Sequence, residues 1–461
     1  MNKKLLIGLA STFAIAPVAV SAGCNKDQFF KEEQMKDANG TPVEGRKTIS
    51  TLASITSDPA FKVGENQKNF RTVYISGEGS IEDKSFNQSG WEAVHKLSYE
   101  LGLDIAQSKG NKNLFNSYRQ PASDRFVEAY TEVIEKGIYK YVVVCGYTLS
   151  APLETVFKDA KLLRKIKDQN MLFICVDFTP ESSDPAVAKE LKDYTIAVEY
   201  DIAAAGYMAG YALSNYLSEK YPTEAAKRTL GAFGGYKWPS VSDFIIGAFK
   251  GVEDANKTHL DKTTRSIKDL VNLDSGFEAG SPNAFAAIDD IKDAQAWYPV
   301  AGSITTQAAK KLTKDQFLIG VDADQAKALT NTRIFTSVMK QIGQAIYNIL
   351  GNLYTYGDVS RIPELAKWKD TKTAEFFGYS VEHPGQRYVD IAEASLIDEN
   401  NTKIAQKWLD QAKNYYHENH VAIQTEIKGL KQRFAKNGDV SEPQIYQTIT
   451  DGLAKAINSQ K

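Results

Sequence analysis

Cysteine and histidine are scarce in this sequence, and their scarcity removes whole classes of function. The 461 residues hold 3 Cys and 5 His, with no CxxC pair and no His/Cys cluster, so no metal site is expected. No GxSxG elbow appears and no nucleophile has a paired His. His95 reads as a surface residue in mid-helix and His259 as part of a polar loop. The glycine-rich stretch 231–235 lacks the Lys-Ser/Thr of a phosphate loop. Neither catalysis nor a cofactor is therefore expected. An excess of positive charge is also missing. The net charge is −2 and the pI about 6.3, which leaves no basic surface to demand a nucleic-acid polymer. After residue 24 no apolar run approaches the ~20 residues that a membrane-spanning helix needs. The remainder, 43% hydrophobic and 24% charged, is ordinary for a globular protein, and the length suits two lobes with appendages.

The first residues form a targeting pattern. Lys3 and Lys4 give a short positive region, 5–20 is an apolar run, and Ser21-Ala22-Gly23-Cys24 closes it. A run of that length ending in small residues is a signal segment rather than a span. The cysteine directly after it makes the pattern resemble a bacterial lipobox, with Ser21 where Leu is commonest. Residues 1–23 are accordingly expected to be a lipoprotein signal and Cys24 the lipid-modified residue. That places the protein on the extracellular face of the cell membrane, held to the bilayer through Cys24. A plain secretory signal followed by a chance Cys is the alternative. Cys145 and Cys175 fall in apolar runs and read as buried free thiols in neighbouring strands, with a disulfide as the other possibility.

Residues 24–69 are polar and poorly periodic, which predicts a tether with a short strand near 48–55. From Arg71 short apolar runs alternate with helix-length amphipathic stretches. Strands are predicted at 72–76, 141–145, 172–177, 194–198, 229–234, 267–273, 297–301, 317–321 and 334–338. Helices are predicted at 89–101, 126–136, 153–167, 203–218 and 241–256. This rhythm means βαβ units, parallel sheets and an α/β class. The strands are too many for one comfortable sheet, so two Rossmann-like lobes are expected. Lobe 1 takes 70–200, with part of 322–390 returning to it, and lobe 2 takes 201–321. Ligands of such sheets bind beyond the carboxyl ends of the strands, here in the cleft between lobes. Residues 391–461 break the rhythm and predict an appended helical segment, with helices at 402–416, 421–435 and 443–457. Packing against a lobe is its simplest role and partner binding the alternative.

The sharpest motif is Gly79-Ser80-Ile81-Glu82-Asp83-Lys84-Ser85-Phe86-Asn87-Gln88, directly after the first strand. A glycine-containing loop opening a helix presents backbone N–H groups and short polar side chains to a cleft. Followed by Trp91-Glu92, it resembles the hallmark segment of the basic membrane protein family of lipoproteins, nucleoside receptors of ABC transporters. The resemblance continues through Ala205-Gly206-Tyr207-Met208-Ala209-Gly210-Tyr211-Ala212 and Gly231-Ala232-Phe233-Gly234-Gly235-Tyr236-Lys237-Trp238-Pro239. It then takes in Phe244, Gly247-Ala248-Phe249-Lys250-Gly251, Gly320-Val321-Asp322-Ala323-Asp324-Gln325 and Thr336-Ser337-Val338-Met339-Lys340. These motifs span about 72–345 in family order; the tether and the helical tail lie outside them.

The resemblance implies a type I periplasmic-binding-protein fold and a monomer that delivers a nucleoside, purine favoured, to an ABC permease. By position it implies that Phe86 and Phe244 sandwich the base from opposite lobes, as offset stacking prefers. Asp322 and Lys340 would engage the ribose through charge-assisted bonds, with a structural ion pair as their alternative. Ser85 and Asn87 would read ligand edges or cap the helix, and Asp83 is divided between ligand contact and cap. Tyr147 lies where the family places a cleft aromatic. Trp238 either walls the cleft or covers a lobe edge, and Asp324 either caps a helix or touches the ligand. One position departs from the family: Gly77 stands where an acidic or amide residue usually bonds the base edge, with Glu78 beside it, which loosens the expected base preference. A surface adhesin or host-factor binder, and a receptor for a sugar or cofactor on the same scaffold, are the competing functions.

Overall fold

The computed structural model describes residues 49–50, 52–54, 61–101, 116–313, 315–329, 333–383, 387–435 and 441–460. The signal-like segment, Cys24 and most of the polar stretch to 69 lie outside them. The described part of the 48–55 stretch carries no strand. Ile49 is instead buried, and the N–H groups of Ile49 and Ser50 donate to the buried carboxylate of Glu92 at 2.9–3.2 Å.

Two sheets carry the fold. The first, in the order β2-β1-β3-β4-β5, is parallel throughout. Its strands are β1 (Thr72–Ser76), β2 (Asn116–Arg119), β3 (Tyr141–Cys145), β4 (Leu172–Val176) and β5 (Thr195–Val198). β1 and β3 are buried along their whole length, as strands covered by helices on both faces must be. The second sheet has the order β11-β10-β9-β8-β6-β7. It contains β6 (Thr229–Gly234), β7 (Arg265–Ser266), β8 (Ala296–Val300), β9 (Phe317–Asp322), β10 (Ile334–Lys340) and the antiparallel edge strand β11 (Val389–Ile391). Strands β10 and β11 thus carry the second sheet past residue 321.

Helices fill both faces. α1 (Phe86–Glu100), α2 (Phe126–Lys136), α3 (Ser150–Lys158), α4 (Ala160–Asp168) and α5 (Pro185–Tyr194) follow strands of the first sheet. The helix predicted at 153–167 is two helices, because the Asp159 carboxylate accepts from the N–H groups of Lys161 and Leu162 and starts α4 afresh. α6 (Ala203–Lys220) and α7 (Pro239–Asn256) cross at their glycines. A Cβ on Gly210 would lie 1.9 Å from the Ala248 carbonyl oxygen, so only glycine permits the approach. α8 (Pro282–Ile291), α9 (Ser303–Ala309) and α10 (Gln325–Ala328) complete this lobe, and α11 (Ile342–Tyr356) returns to the first. There the Tyr354 and Thr72 hydroxyls are 2.8 Å apart.

After α12 (Trp368–Thr371) and β11, the predicted pair 402–416 and 421–435 is one helix, α13 (Glu399–Phe434). The intervening His417-Glu418-Asn419-His420 holds no Gly or Pro to interrupt it. Asp398 caps its start by accepting from the Asn401 N–H. α14 (Glu442–Ser459) closes the chain against α7 and β7. The stretch 267–273 is not a strand. Only its ends touch β6, where the Ile267 N–H donates to the Leu230 carbonyl at 2.9 Å and the Gly234 N–H to the Asn272 carbonyl at 2.8 Å. α14 takes the backbone of Val271: Asp451 accepts from its N–H, and the Gln447 amide donates to its carbonyl. Among the described residues no helix is long and apolar enough to cross a membrane.

Candidate functional site

The carboxyl ends of both sheets face one interlobe cavity with about 650 Å³ of empty space, part of it open to solvent. The loop after β1 forms its first wall. Asp83 is buried there, and its carboxylate accepts from the N–H groups of Ser85, Asn87 and Gln88 and from the Asn87 amide at 2.9–3.1 Å. Burial raises its pKa, while those bonds hold it down. Asp83 is therefore the cap of α1, and its side chain also borders the cavity. Asn87 spends its amide N–H groups on Asp83 and the Glu78 carbonyl. Phe86, half-buried, and Phe244, 1% exposed, line the cavity from opposite lobes.

Lys340 ends β10 and is 1% exposed. Its ammonium donates to both oxygens of Asp177 at 2.9 Å and to the Ser240 carbonyl at 3.0 Å. It also lies 4.9 Å from the Phe244 ring centre and 5.8 Å from that of Phe86, so both rings flank one cation. The ion pair of the cleft is thus Lys340–Asp177, not Lys340–Asp322. Asp322 instead accepts from the Ser85 hydroxyl at 2.8 Å. Asp177, just past β4, and Asp322, the last residue of β9, both adopt left-handed backbone (φ 73° and 64°). Aspartate tolerates that conformation better than most residues. Burial pushes the Asp322 carboxyl up to about 6, with Asp177 and Asp83 adding to the rise and Lys340 and Ser85 opposing it.

The mouth is spanned by aromatic rings. Tyr147 of lobe 1 lies 4.3 Å from Trp238 of lobe 2 between ring centres, and Trp238 stacks on Tyr236 at 4.4 Å. The Tyr236 hydroxyl donates to Glu78 at 3.1 Å. Together with Ser85–Asp322 and Asp177–Lys340, these contacts join the two lobes over the cavity.

Of the residues singled out by sequence, the structure brings Asp83, Phe86, Asn87, Tyr147, Trp238, Phe244, Asp322 and Lys340 to one cavity. Two stand outside it. Ser85 is fully buried and holds Asp322, and Asp324 turns to Lys327 at 3.3 Å without capping α10. Cys145 and Cys175 are free. Cys145 pairs in register with Val176 and Cys175 with Val144, so the thiols point to opposite faces of the sheet. Sequence reasoning missed Asp177, Thr148, Ser240 and Phe277. An acid directly beyond an apolar parallel strand was the available signal for Asp177. At Gly77 the structure leaves no room for a side chain, since a Cβ would lie 2.9 Å from the Cys145 carbonyl oxygen.

Residues 70–359 match the model of the Bmp family, described as ABC transporter substrate-binding protein PnrA-like. The chain belongs to this family. Its similar relatives include basic membrane protein B of Borreliella burgdorferi, 27% identical over 280 residues, 59% of this chain and 71% of that one. Another is the CD4+ T-cell-stimulating antigen of Listeria monocytogenes, 25% identical over 283 residues, 60% of this chain and 69% of that one. Among solved structures, a solute-binding protein of an ABC transporter system from Aeropyrum pernix K1 has the same fold. It superposes with a TM-score of 0.52 at 14% identity, covering 84% of this chain and 99% of that one. The protein is thus an ABC transporter substrate-binding protein, in a family of solute binders rather than enzymes. The α/β two-sheet architecture with the periplasmic-binding-protein fold agrees with the reading of the sequence.

Proposed function

We propose that the protein captures a nucleoside in the interlobe cavity and presents it to an ABC permease, without catalysis, while anchored to the outer face of the membrane through Cys24. The observation that carries the reading is the composition of the cavity. Aromatic rings from opposite lobes, Phe86 and Phe244, flank the buried Lys340 ammonium, and two buried carboxylates, Asp177 and Asp322, stand at the neighbouring strand ends. A base has flat faces that stack on such rings, and a ribose offers adjacent hydroxyls that a carboxylate accepts. Asp322 uses one oxygen on Ser85 and keeps acceptor capacity for a ligand hydroxyl.

Calorimetric titration of the purified protein with nucleosides, free bases and ribose tests this. Nucleosides should bind more tightly than either fragment, and equal affinity for a nucleoside and its base would refute the sugar assignment. The anchor is tested separately: replacing Cys24 with Ser should move the protein out of the membrane fraction, and unchanged partitioning contradicts lipidation.

A further inference from the structure

We infer that Thr148 determines specificity at the base edge, an assignment that rests on the nucleoside reading above. Several hydroxyls line the cavity wall. Ser240 bonds Asp177, and Ser303 donates to the Phe277 carbonyl at 2.6 Å. Thr148 also lines the cavity, and its hydroxyl has no hydrogen-bond partner among the described residues. Most charged groups are similarly occupied: Glu78 by Tyr236, Asp83 by the start of α1 and Lys340 by Asp177, while Asp322, bonded to Ser85 through one oxygen, is the group assigned to the sugar. A half-buried hydroxyl that the protein leaves unpaired beside a cavity is available to a ligand.

Its position fits an edge-reading role. Gly77 and Gly146 pack backbone to backbone, and the Gly77 N–H donates to the Cys145 carbonyl at 2.7 Å. Gly146 has φ 120°, which glycine alone adopts readily. The two glycines make a floor without side chains. A methyl placed on Gly146 would lie 3.8 Å from the Phe86 ring, and one placed on Gly77 would lie 3.3 Å from the Thr148 hydroxyl oxygen. The order along this floor is therefore Phe86 ring, Gly146, Gly77, Thr148 hydroxyl. A planar base stacked on Phe86 extends its edge over the glycines toward Thr148. A hydroxyl both donates and accepts, so it serves an amino edge and a carbonyl edge by rotating. The receptor should bind 6-amino and 6-oxo purine nucleosides with affinities within about threefold, since neither edge leaves a buried group unpaired.

The test is calorimetry of the full chain with adenosine, inosine, cytidine and uridine, using the parent, Thr148→Val and Thr148→Ser. Valine keeps the shape and removes the hydroxyl; serine keeps the hydroxyl. Thr148→Val should weaken the best-bound nucleosides about five- to tenfold, as loss of one neutral hydrogen bond does, and should compress the ranking among bases. Its preference for a nucleoside over the 2′-deoxy form should stay at the parental ratio. Thr148→Ser should keep parental affinities. Unchanged affinity and ranking in Thr148→Val overturns the inference, as does equal loss in both variants, while leaving nucleoside capture standing. A parent protein that binds no nucleoside overturns both.

Discussion

Replacing Lys340 with Met isolates the electrostatics that hold the cleft. The ammonium is 1% exposed and meets both Asp177 oxygens at 2.9 Å. Methionine keeps the length of the stem and leaves the Asp177 carboxylate buried without its counter-ion. Attraction between unit charges 4 Å apart at an effective dielectric of 20 is about 4 kcal/mol. That agrees with the roughly 3–5 kcal/mol lost when a buried pair is broken from one side. The loss should depend on pH. Burial already raises the Asp177 pKa and Lys340 opposes it, so removing Lys340 lifts the folded-state value further above the unfolded one. A carboxyl with a raised folded-state pKa favours folding below its unfolded pKa, and that contribution disappears as pH rises through the folded value. The deficit of the variant should therefore be smallest in acid and grow toward neutrality. Adding Asp177→Asn removes the orphaned charge and should restore most of the stability. Denaturation midpoints of the parent, the single variant and the double variant, at about pH 4.5 and 7.5, measure all three expectations. A single variant as stable as the parent at neutral pH, or a double variant no better than the single, would refute the reasoning.

Two further outcomes concern the ligand. Phe86→Leu should weaken nucleoside binding by ~1–3 kcal/mol, the usual cost of losing a stacked base, with little change in melting temperature because the ring is half-buried; calorimetry showing parental affinity would remove the ring from the site. On the proposed reading the Asp322 carboxyl, pushed up to about 6 by burial, accepts charge-assisted bonds from sugar hydroxyls while ionised and only weaker neutral ones once protonated, so nucleoside affinity should fall as pH drops through that value. Asp322→Asn should bind about 2 kcal/mol more weakly at neutral pH and lose this pH dependence; binding by the parent that is flat from pH ~5 to ~7.5 contradicts the role.

The strands easiest to read were the buried parallel ones. Tyr141-Val142-Val143-Val144-Cys145 is apolar without alternation, and residues 141–145 form a strand buried along its length. Edge strands gave no such signal: Asn116-Ser117-Tyr118-Arg119 is polar, and β11 has three residues. The stretch 267–273 misled for a tertiary reason: its ends still touch β6, but the backbone of Val271 is taken by α14 side chains more than 170 positions away in the chain. The site divides in the same way. The placement of Phe86, Asp322 and Lys340 at the cavity was legible because each stands in a recognisable motif, Phe86 at the start of α1 and the other two at strand ends. The pairing of Lys340 with Asp177 was not, because it depends on how the two sheets meet. Thr148 gave still less, standing in a short turn whose residue types favour no particular chemistry.

The helical tail is explained by what lies beneath it. α6 is buried along nearly its whole length, from Ala203 to Ser218, and is built of small and apolar residues. The sheet and α7 cover part of such a helix and leave the remainder in need of a partner. α13 supplies it. Ala405, Leu409, Ala412, Tyr416, Ile423 and Leu430 are buried at helical spacing, and Tyr415 stacks on Tyr211 at 4.6 Å. Charges fix the register: the nearly buried Lys250 of α7 meets Glu426 at 2.5 Å, and Arg433 donates to both oxygens of Glu253. α14 then holds the backbone of 266–271 through Asn458, Asp451 and Gln447. The tail lies beyond residue 359, where the family match ends. Its apolar face is spent within the molecule, so the residues that face α6 and α7 are not available to a partner. The segment after residue 391 therefore extends the core of the second lobe, and what it presents outward is the charged and amide-rich side of α13.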